Sequence, residues 1–177
     1  MIRSRGIDGA RARRRDLLRI AFLSATALAA TEIAATLTPF LRVNRIVGLG
    51  ARVPLTQTKA EILERFAATD DEPILFAQHK FFLVHAPGGV VAAYRRCTHL
   101  GCAVPFAKGE DRFHCPCHGS IYDKRTALAI HDPAPRGLDL FHMSEDAGKL
   151  TVNTNPLDLM VRSDNKWHPE HVEVTDR

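Results

Sequence analysis

The chain has 177 residues, 45% of them apolar and 25% charged. That balance fits one globular domain plus an anchor or tail and excludes a disordered chain, a collagen or a multi-span membrane protein. The formal charge of +4 is unevenly placed: residues 1–19 hold seven arginines against Asp8 and Asp16, a local +5, which leaves −1 for the rest. Basic charge confined to one tip, rather than spread over a folded face, excludes a nucleic-acid-binding surface.

The basic residues 1–19 precede a mostly apolar run from Ile20 to Leu41. As a helix these 22 residues span about 33 Å, against a hydrocarbon core of about 30 Å. Residues 20–41 are therefore expected to form a transmembrane anchor. Arginines before the run, with no such cluster after it, orient the N-terminus toward the cytoplasm and the remaining chain toward the outer face. Glu32 interrupts the run and is expected to face protein or to be protonated, because a charge at mid-span costs about 3 kcal/mol. Ala21, Ala25 and Ala29 form a small-residue stripe that would let another helix approach, although alanine is also simply common in helices. Arg14-Arg15-Asp16-Leu17-Leu18-Arg19 resembles a twin-arginine export signal, with Leu17 where phenylalanine is commonest. Ala27-Leu28-Ala29 offers a signal-peptidase site, yet the apolar run continues a dozen residues past it. The expectation is an uncleaved single span in the cytoplasmic membrane of a prokaryote.

Residues 42–56 read as a flexible tether, with Gly48 and Gly50 weakening any regular element, and residues 57–177 as the folded domain. Thr58 to Glu61 fits a capping box, and Ile62, Leu63 and Phe66 follow at helical spacing, so a short helix is expected near residues 58–68. Asp70 to Pro73 breaks it. Beyond that point the pattern is β. Ile74 to Ala77, Phe81 to Ala86, Val90 to Tyr94, Arg112 to His114, Leu138 to Met143 and Leu150 to Asn153 are candidate strands. Pro87-Gly88-Gly89 marks a turn, and so does Glu145-Asp146-Ala147-Gly148. Short punctuated strands argue for a small antiparallel sandwich or barrel. The tail after Pro156 is polar, and no element is assigned to it.

All four cysteines fall in a window of 21 residues, Cys97 to Cys117. Cys97-Thr-His99-Leu-Gly-Cys102 is followed, after fifteen residues beyond His99, by Cys115-Pro-Cys117-His118-Gly-Ser120-Ile-Tyr122. Each block supplies one Cys and one His that can face each other on two loops. Two Cys and two His would also satisfy a zinc ion, but zinc would leave Cys102 and Cys117 unexplained.

Both blocks resemble the Rieske iron–sulfur pattern, C-x-H and C-x-x-H, and the resemblance runs over about residues 74–154. It implies a mainly β Rieske-type fold with inserted cluster-binding loops, carrying one [2Fe-2S] cluster. Cys97 and Cys115 would hold one iron, His99 and His118 the other. Two neutral imidazoles in place of thiolates put the potential between about −150 and +300 mV. In Rieske proteins of quinol-oxidising complexes the cysteines matching Cys102 and Cys117 form a disulfide, which needs an oxidising compartment. Ser120 and Tyr122 match the hydroxyls that donate to a bridging sulfide and to the first cysteine sulfur in high-potential members. Asp132-Pro133-Ala134-Pro135 resembles the proline loop over the cluster, with Asp132 where the family usually has glycine. The other histidines (His79, His85, His114, His131, His142, His168, His171) match no ligand position.

By that resemblance the chain is the iron–sulfur subunit of a cytochrome bc- or bf-type complex, a quinol:cytochrome c reductase in the membrane. Its partners would be a cytochrome b-type subunit, a c-type cytochrome, quinol and lipid. Quinol would contact His118; His99 is expected to be exposed and redox-linked too. Electron and proton would move together, and the reduced domain would swing on Gly48 and Gly50 to reach a c-type haem. Two alternatives remain at this point. The small Rieske subunit of an arsenite-oxidase-like molybdenum enzyme would relay electrons without quinol. A ring-hydroxylating ferredoxin would need neither the anchor nor Cys102 and Cys117.

Overall fold

The computed structural model describes residues 13–41 and 48–176, which fall into an N-terminal helix and a separate β-rich unit. The helix, α1, runs Arg14–Leu41, so it begins six residues before the apolar run and includes Arg14 and Arg15. Its segment Arg14–Pro39 has a mean hydropathy of 1.6 and is long and apolar enough to cross a membrane. The hydroxyls that dilute its hydropathy are satisfied within it. Ser24 and Thr31 donate to carbonyls one turn back, and Thr26, Thr36 and Thr38 do the same. They therefore need no outside partner. Residues 1–12 and 42–47, with most of the basic tip and the first part of the tether, lie outside the described residues.

The β-rich unit contains β1 (Arg52–Thr58), α2 (Lys59–Ala68), β2 (Ile74–Phe76), β3 (Phe81–Ala86) and β4 (Gly89–Tyr94), then β5 (Phe106–Ala107), β6 (Arg112–His114), β7 (Ile121–Tyr122) and β8 (Ala129–His131). The chain closes with β9 (Leu140–Asp146), β10 (Lys149–Asn153), β11 (Leu159–Met160) and β12 (Val174–Thr175). The larger sheet has the antiparallel order β1-β10-β9-β4-β3-β2, with β11 added beside β9 and β12 beside β4. The smaller sheet, β5-β6-β7-β8, is inserted between β4 and β9 and carries the cysteine blocks.

Alternation along the central strands explains how one sheet serves two cores. On β3, Phe81 and Leu83 enter one core while Phe82, Val84 and Ala86 enter the other. The first core packs against α2 through Ile62 and Phe66, with β1 and β10 closing its far side. The second lies toward the smaller sheet, where Phe82 meets the Phe113 ring edge-on at 5.1 Å. The smaller sheet thus rests on an apolar floor.

Helix α2 forms as expected. Thr58 accepts from the Glu61 amide and the Glu61 carboxylate accepts from the Thr58 amide at 2.7 Å, a complete capping box. The tether expectation needs correcting. Residues 52–58 are β1, paired antiparallel with β10 with a register shift between Pro54 and Thr58, so the folded unit starts earlier than residue 57. Pro54 fits within β1 because β1 is an edge strand, where a missing N–H is tolerated. Gly50 and Ala51 are fastened as well. The Gly50 amide donates to the Thr154 carbonyl at 2.8 Å, and the Thr154 amide donates to the Ala51 carbonyl at 2.9 Å. A Cβ on Gly48 would overlap the Gln78 carbonyl. Neither glycine is free to act as a hinge.

Candidate metal centre

The two cysteine blocks fold into matching loops. In the first, the Cys97 amide donates to the Cys102 carbonyl at 2.8 Å and the Gly101 amide to the Cys97 carbonyl at 2.9 Å. In the second, the Cys115 amide donates to the Ser120 carbonyl at 2.8 Å and the Gly119 amide to the Cys115 carbonyl at 3.0 Å. Each loop therefore closes from its first cysteine onto the residues four and five places on. Each needs glycine at the fourth place, with φ of +82° at Gly101 and +84° at Gly119, a left-handed conformation that β-carbons disfavour. The loops are joined by the Cys102–Cys117 disulfide, with Cα atoms 6.6 Å apart, inside the usual range for such a bridge. The bridge that the resemblance implied is present.

With those two sulfurs joined, Cys97 and Cys115 remain as free, buried thiols. The His99 and His118 rings meet edge to face with centroids 4.8 Å apart. His118 is exposed and His99 half-buried. The Cys102, Cys115 and Cys117 sulfurs lie within 4.8 Å of one another. Two of them are bonded together, however, so that triplet offers a metal only Cys115.

Hydroxyl groups surround the buried thiols. The Tyr122 hydroxyl lies 3.0 Å from Cys97 Sγ and accepts from the Thr98 amide at 3.2 Å. Burial and the neighbouring Cys97 sulfur push the Tyr122 phenol up, so it stays protonated as a donor. Burial pushes the Cys97 thiol up as well. The Tyr122 hydroxyl and the His99 amide, helped by Cys115 and Ser120, outweigh that burial and bring Cys97 below its ordinary value. Burial raises Cys115, and the nearby Cys97 adds to the effect. Ser120 is fully buried, and its Oγ accepts from the Ala134 amide at 3.1 Å. The proline loop is thereby tied to the second cysteine loop. It is tied to the first by Thr98 Oγ1, which donates to the Arg136 carbonyl at 2.6 Å. Asp132 is exposed.

One structural residue went unread in the sequence. Arg162, in the polar tail, is only 1% exposed. Its guanidinium donates to the Thr126 and Ala127 carbonyls, each at 2.7 Å, and its amide donates to Asp139 at 3.2 Å. Burial lowers its pKa to about 10, against the pull of Asp139, so it is still a cation at neutral pH. Gly137 makes room for it, since a Cβ there would overlap the guanidinium. The pair braces the chain just after the proline loop. A glycine following Pro135-Arg136 was the only signal.

The donor set fits an iron–sulfur centre. Two free thiols are buried together, one of them in a field of hydrogen-bond donors, and the two imidazoles face each other. The buried Nδ1 of His99 has no hydrogen-bond partner, as expected of a nitrogen awaiting a metal. Most other histidines are hydrogen-bonded to carboxylates: His85 to Asp71, His114 to Glu110, His142 to Glu173 and His168 to Asp164.

Residues 61–142 match the Rieske [2Fe-2S] domain family. The cytochrome b6-f complex iron-sulfur subunit 1 of Nostoc sp. is 45% identical over 58 residues, covering 33% of this chain and 32% of that protein. The chloroplastic cytochrome b6-f complex iron-sulfur subunit 1 of Nicotiana tabacum is 44% identical over 72 residues, covering 39% and 31%. The chain thus matches about a third of the length of these curated relatives. Among solved structures, the plasma membrane Rieske protein PetC3 from Synechocystis PCC 6803 is similar at 24% identity and a TM-score of 0.40, covering 58% of this chain and 97% of that one. Residues 61–142, which hold both cysteine blocks, are thus a Rieske [2Fe-2S] domain.

Proposed function

We propose that the chain is the iron–sulfur subunit of a membrane quinol:cytochrome c oxidoreductase. It takes an electron and a proton from quinol and passes the electron to a c-type haem. Cys97 and Cys115 hold one iron and His99 and His118 the other. When bound, the cluster supplies a one-electron acceptor. The residues around it set how readily that electron is taken. The Tyr122 hydroxyl donates to Cys97 Sγ, and donors aimed at sulfur stabilise the added negative charge. The disulfide joins the two cysteine loops, Ser120 ties the proline loop to the second of them, and the apolar floor under Phe113 keeps water from the thiols.

The observation that carries the reading is the exposure of His118 at a tip whose thiols are buried. An imidazole open to a substrate can accept a hydrogen bond from a quinol hydroxyl and take its proton. The apolar helix before the domain supports placement at a membrane. The arginines before that helix favour a cytoplasmic N-terminus, with the domain on the outer face beside a cytochrome b-type and a c-type subunit. The Cys102–Cys117 bridge suits that oxidising side.

The test is electron paramagnetic resonance on membranes holding the full chain, with and without a quinol-site inhibitor. A Rieske signal whose line shape the inhibitor alters, together with quinol-dependent cytochrome c reduction that His118→Gln abolishes, is the expected result. A Rieske signal indifferent to quinol and inhibitor overturns the quinol reading and leaves a relay subunit.

A further inference from the structure

Three cations beside the first cysteine loop play no part in the function above. Strand β4 ends at Tyr94, and Arg95 and Arg96 follow directly before Cys97. Their backbone is pinned: the Arg95 amide donates to the Lys80 carbonyl at 2.8 Å, and Arg96 is bridged to Ala103. Arg95 Nε donates to the Val104 carbonyl at 3.1 Å. Lys80 closes a short turn with φ of +59°. The three residues line a cavity of about 460 Å³ together with Leu49, Ala77 and Ala103, and no lining residue is acidic. Among the described residues no carboxylate pairs with Lys80, Arg95 or Arg96. By contrast, Lys59, Lys108, Lys124, Arg125 and Arg136 each have an acidic partner.

The chain after residue 19 carries a net −1, so three unpaired cations in one place are a local feature. The cavity shares Tyr94, Arg96 and Gly101 with a neighbouring one of about 440 Å³ that reaches Cys97 and His99. Arg96 is the wall between them. Its Nε lies 3.0 Å from where a Cβ on Gly101 would stand. The one acid in the second cavity, Asp139, is paired with Arg136. Like charges lining one cavity act together on an approaching anion, since screening extends over about 10 Å at 0.1 M salt. Such focusing raises association rates by about 10 to 1,000-fold.

We propose that Lys80, Arg95 and Arg96 form the docking point for carboxylates of an acidic electron-accepting protein, and bring that acceptor against the Cys97–His99 side of the centre. One electron leaves the reduced chain and reduces the acceptor, a one-electron oxidant, by one; no bond or proton is exchanged at the cavity. An acidic redox protein suits the site better than an anionic lipid. The cationic cavity adjoins the one that reaches Cys97 and His99, a position that serves a protein taking an electron and gives a lipid phosphate no advantage. The electron-delivering part rests on the Rieske reading; the anion-binding part does not.

The test uses the full chain in detergent. The reduced protein is oxidised in a stopped-flow instrument by hexacyanoferrate(III), an anionic probe, and by tris(phenanthroline)cobalt(III), a cationic one. Lys80→Gln, Arg95→Gln, Arg96→Gln and the triple variant are compared after the potential of each has been measured. In the triple variant the anionic probe is expected to slow about tenfold or more at low salt and to lose most of its salt dependence, while the cationic probe holds its rate or gains. An unchanged anionic rate overturns the proposal. So does an equal fall with both probes, which would reflect driving force alone. Calorimetric titration with redox-inert hexacyanocobaltate(III) reads the cavity whether or not the chain carries its cluster. Binding that the triple variant removes supports the anion site even if the Rieske reading fails. The N-terminal arginines add a background that these variants leave in place. Binding of phosphatidylglycerol vesicles that depends on the three residues, with no hexacyanocobaltate bound, would replace the protein partner by a lipid.

Discussion

Replacing Tyr122 with phenylalanine removes one oxygen from a fully buried ring and leaves the apolar packing of that ring in place. That oxygen has two jobs. It donates to Cys97 Sγ, 3.0 Å away, and it accepts from the Thr98 amide at 3.2 Å. A hydrogen bond to a charged acceptor is worth about 1.5 to 3 kcal/mol. Realised fully in the reduced state, the lost donor lowers the one-electron potential by about 60 to 130 mV, since 1.4 kcal/mol corresponds to about 59 mV. The lost acceptor acts on a different observable. An unpaired buried N–H costs about 1 to 3 kcal/mol of stability whatever the redox state. The assay is a redox titration followed by electron paramagnetic resonance, paired with denaturant unfolding of the same variant. The expected result is a retained Rieske signal, a lower potential and a lower unfolding midpoint. A retained signal at an unchanged potential would refute the argument that this hydroxyl stabilises the added electron.

Ser120→Ala should lower the potential in the same direction and also free the proline loop, because the Ala134 amide loses the Ser120 Oγ to which it donates; faster amide exchange at Ala134 is the check. Replacing Cys102 and Cys117 by serine opens a bridge closing 15 residues and should cost about 3 kcal/mol of stability. Denaturant unfolding of the oxidised wild type against the double variant measures it, and an unchanged midpoint would mean the loops hold without the bridge. Arg162→Met leaves the Thr126 carbonyl without this donor and the Ala127 carbonyl with the Leu138 amide alone, and should destabilise by about 1 to 3 kcal/mol. Gly137→Ala, which drives a methyl into Arg162, should be less than additive with it in a double-mutant cycle. The Thr58 amide and hydroxyl hold the Glu61 carboxyl below its ordinary value. A depressed carboxyl stabilises the fold above its unfolded value, and that contribution disappears as the pH falls through its folded value. The Thr58→Ala penalty, about 1 kcal/mol near neutrality, should therefore shrink in acid, as denaturant titrations at the two pH values would show.

The parts of the fold that could be read in the sequence are those where local chemistry and tertiary structure agree. Phe81–Ala86 and Arg112–His114 form at the expected bounds. Both are short apolar or β-prone runs with turn residues at their ends. The helix after Thr58 was marked by its own capping residues. The first strand was missed because Gly48 and Gly50 argue locally for irregular chain. What makes residues 52–58 a strand is β10, almost a hundred residues later, and Thr154, which binds Ala51. The tail was missed for the same reason: β11 and β12 are two-residue additions to strands β9 and β4 whose signal is entirely in the partner.

The site divides in the same way. Its cysteines and histidines lie in two compact blocks, so composition and spacing reveal them. Their supports come from far along the chain. Arg162 reads as one more charge in a polar tail until the fold buries it beneath Gly137. Lys80 reads as a turn residue, and only the pairing of its carbonyl with Arg95 brings it beside the first cysteine loop.

The central claim is that Cys97, His99, Cys115 and His118 hold one [2Fe-2S] cluster at high potential. The measurement closest to it is a redox titration of the full chain at about pH 6 and about pH 9, followed by electron paramagnetic resonance. The predicted result is a Rieske signal with a potential between about −150 and +300 mV that falls as pH rises, because reduction draws in a proton at the histidine side. Replacing either His99 or His118 should abolish the signal. A chain that binds zinc in place of iron, or a signal that survives the loss of both histidines, would contradict the assignment.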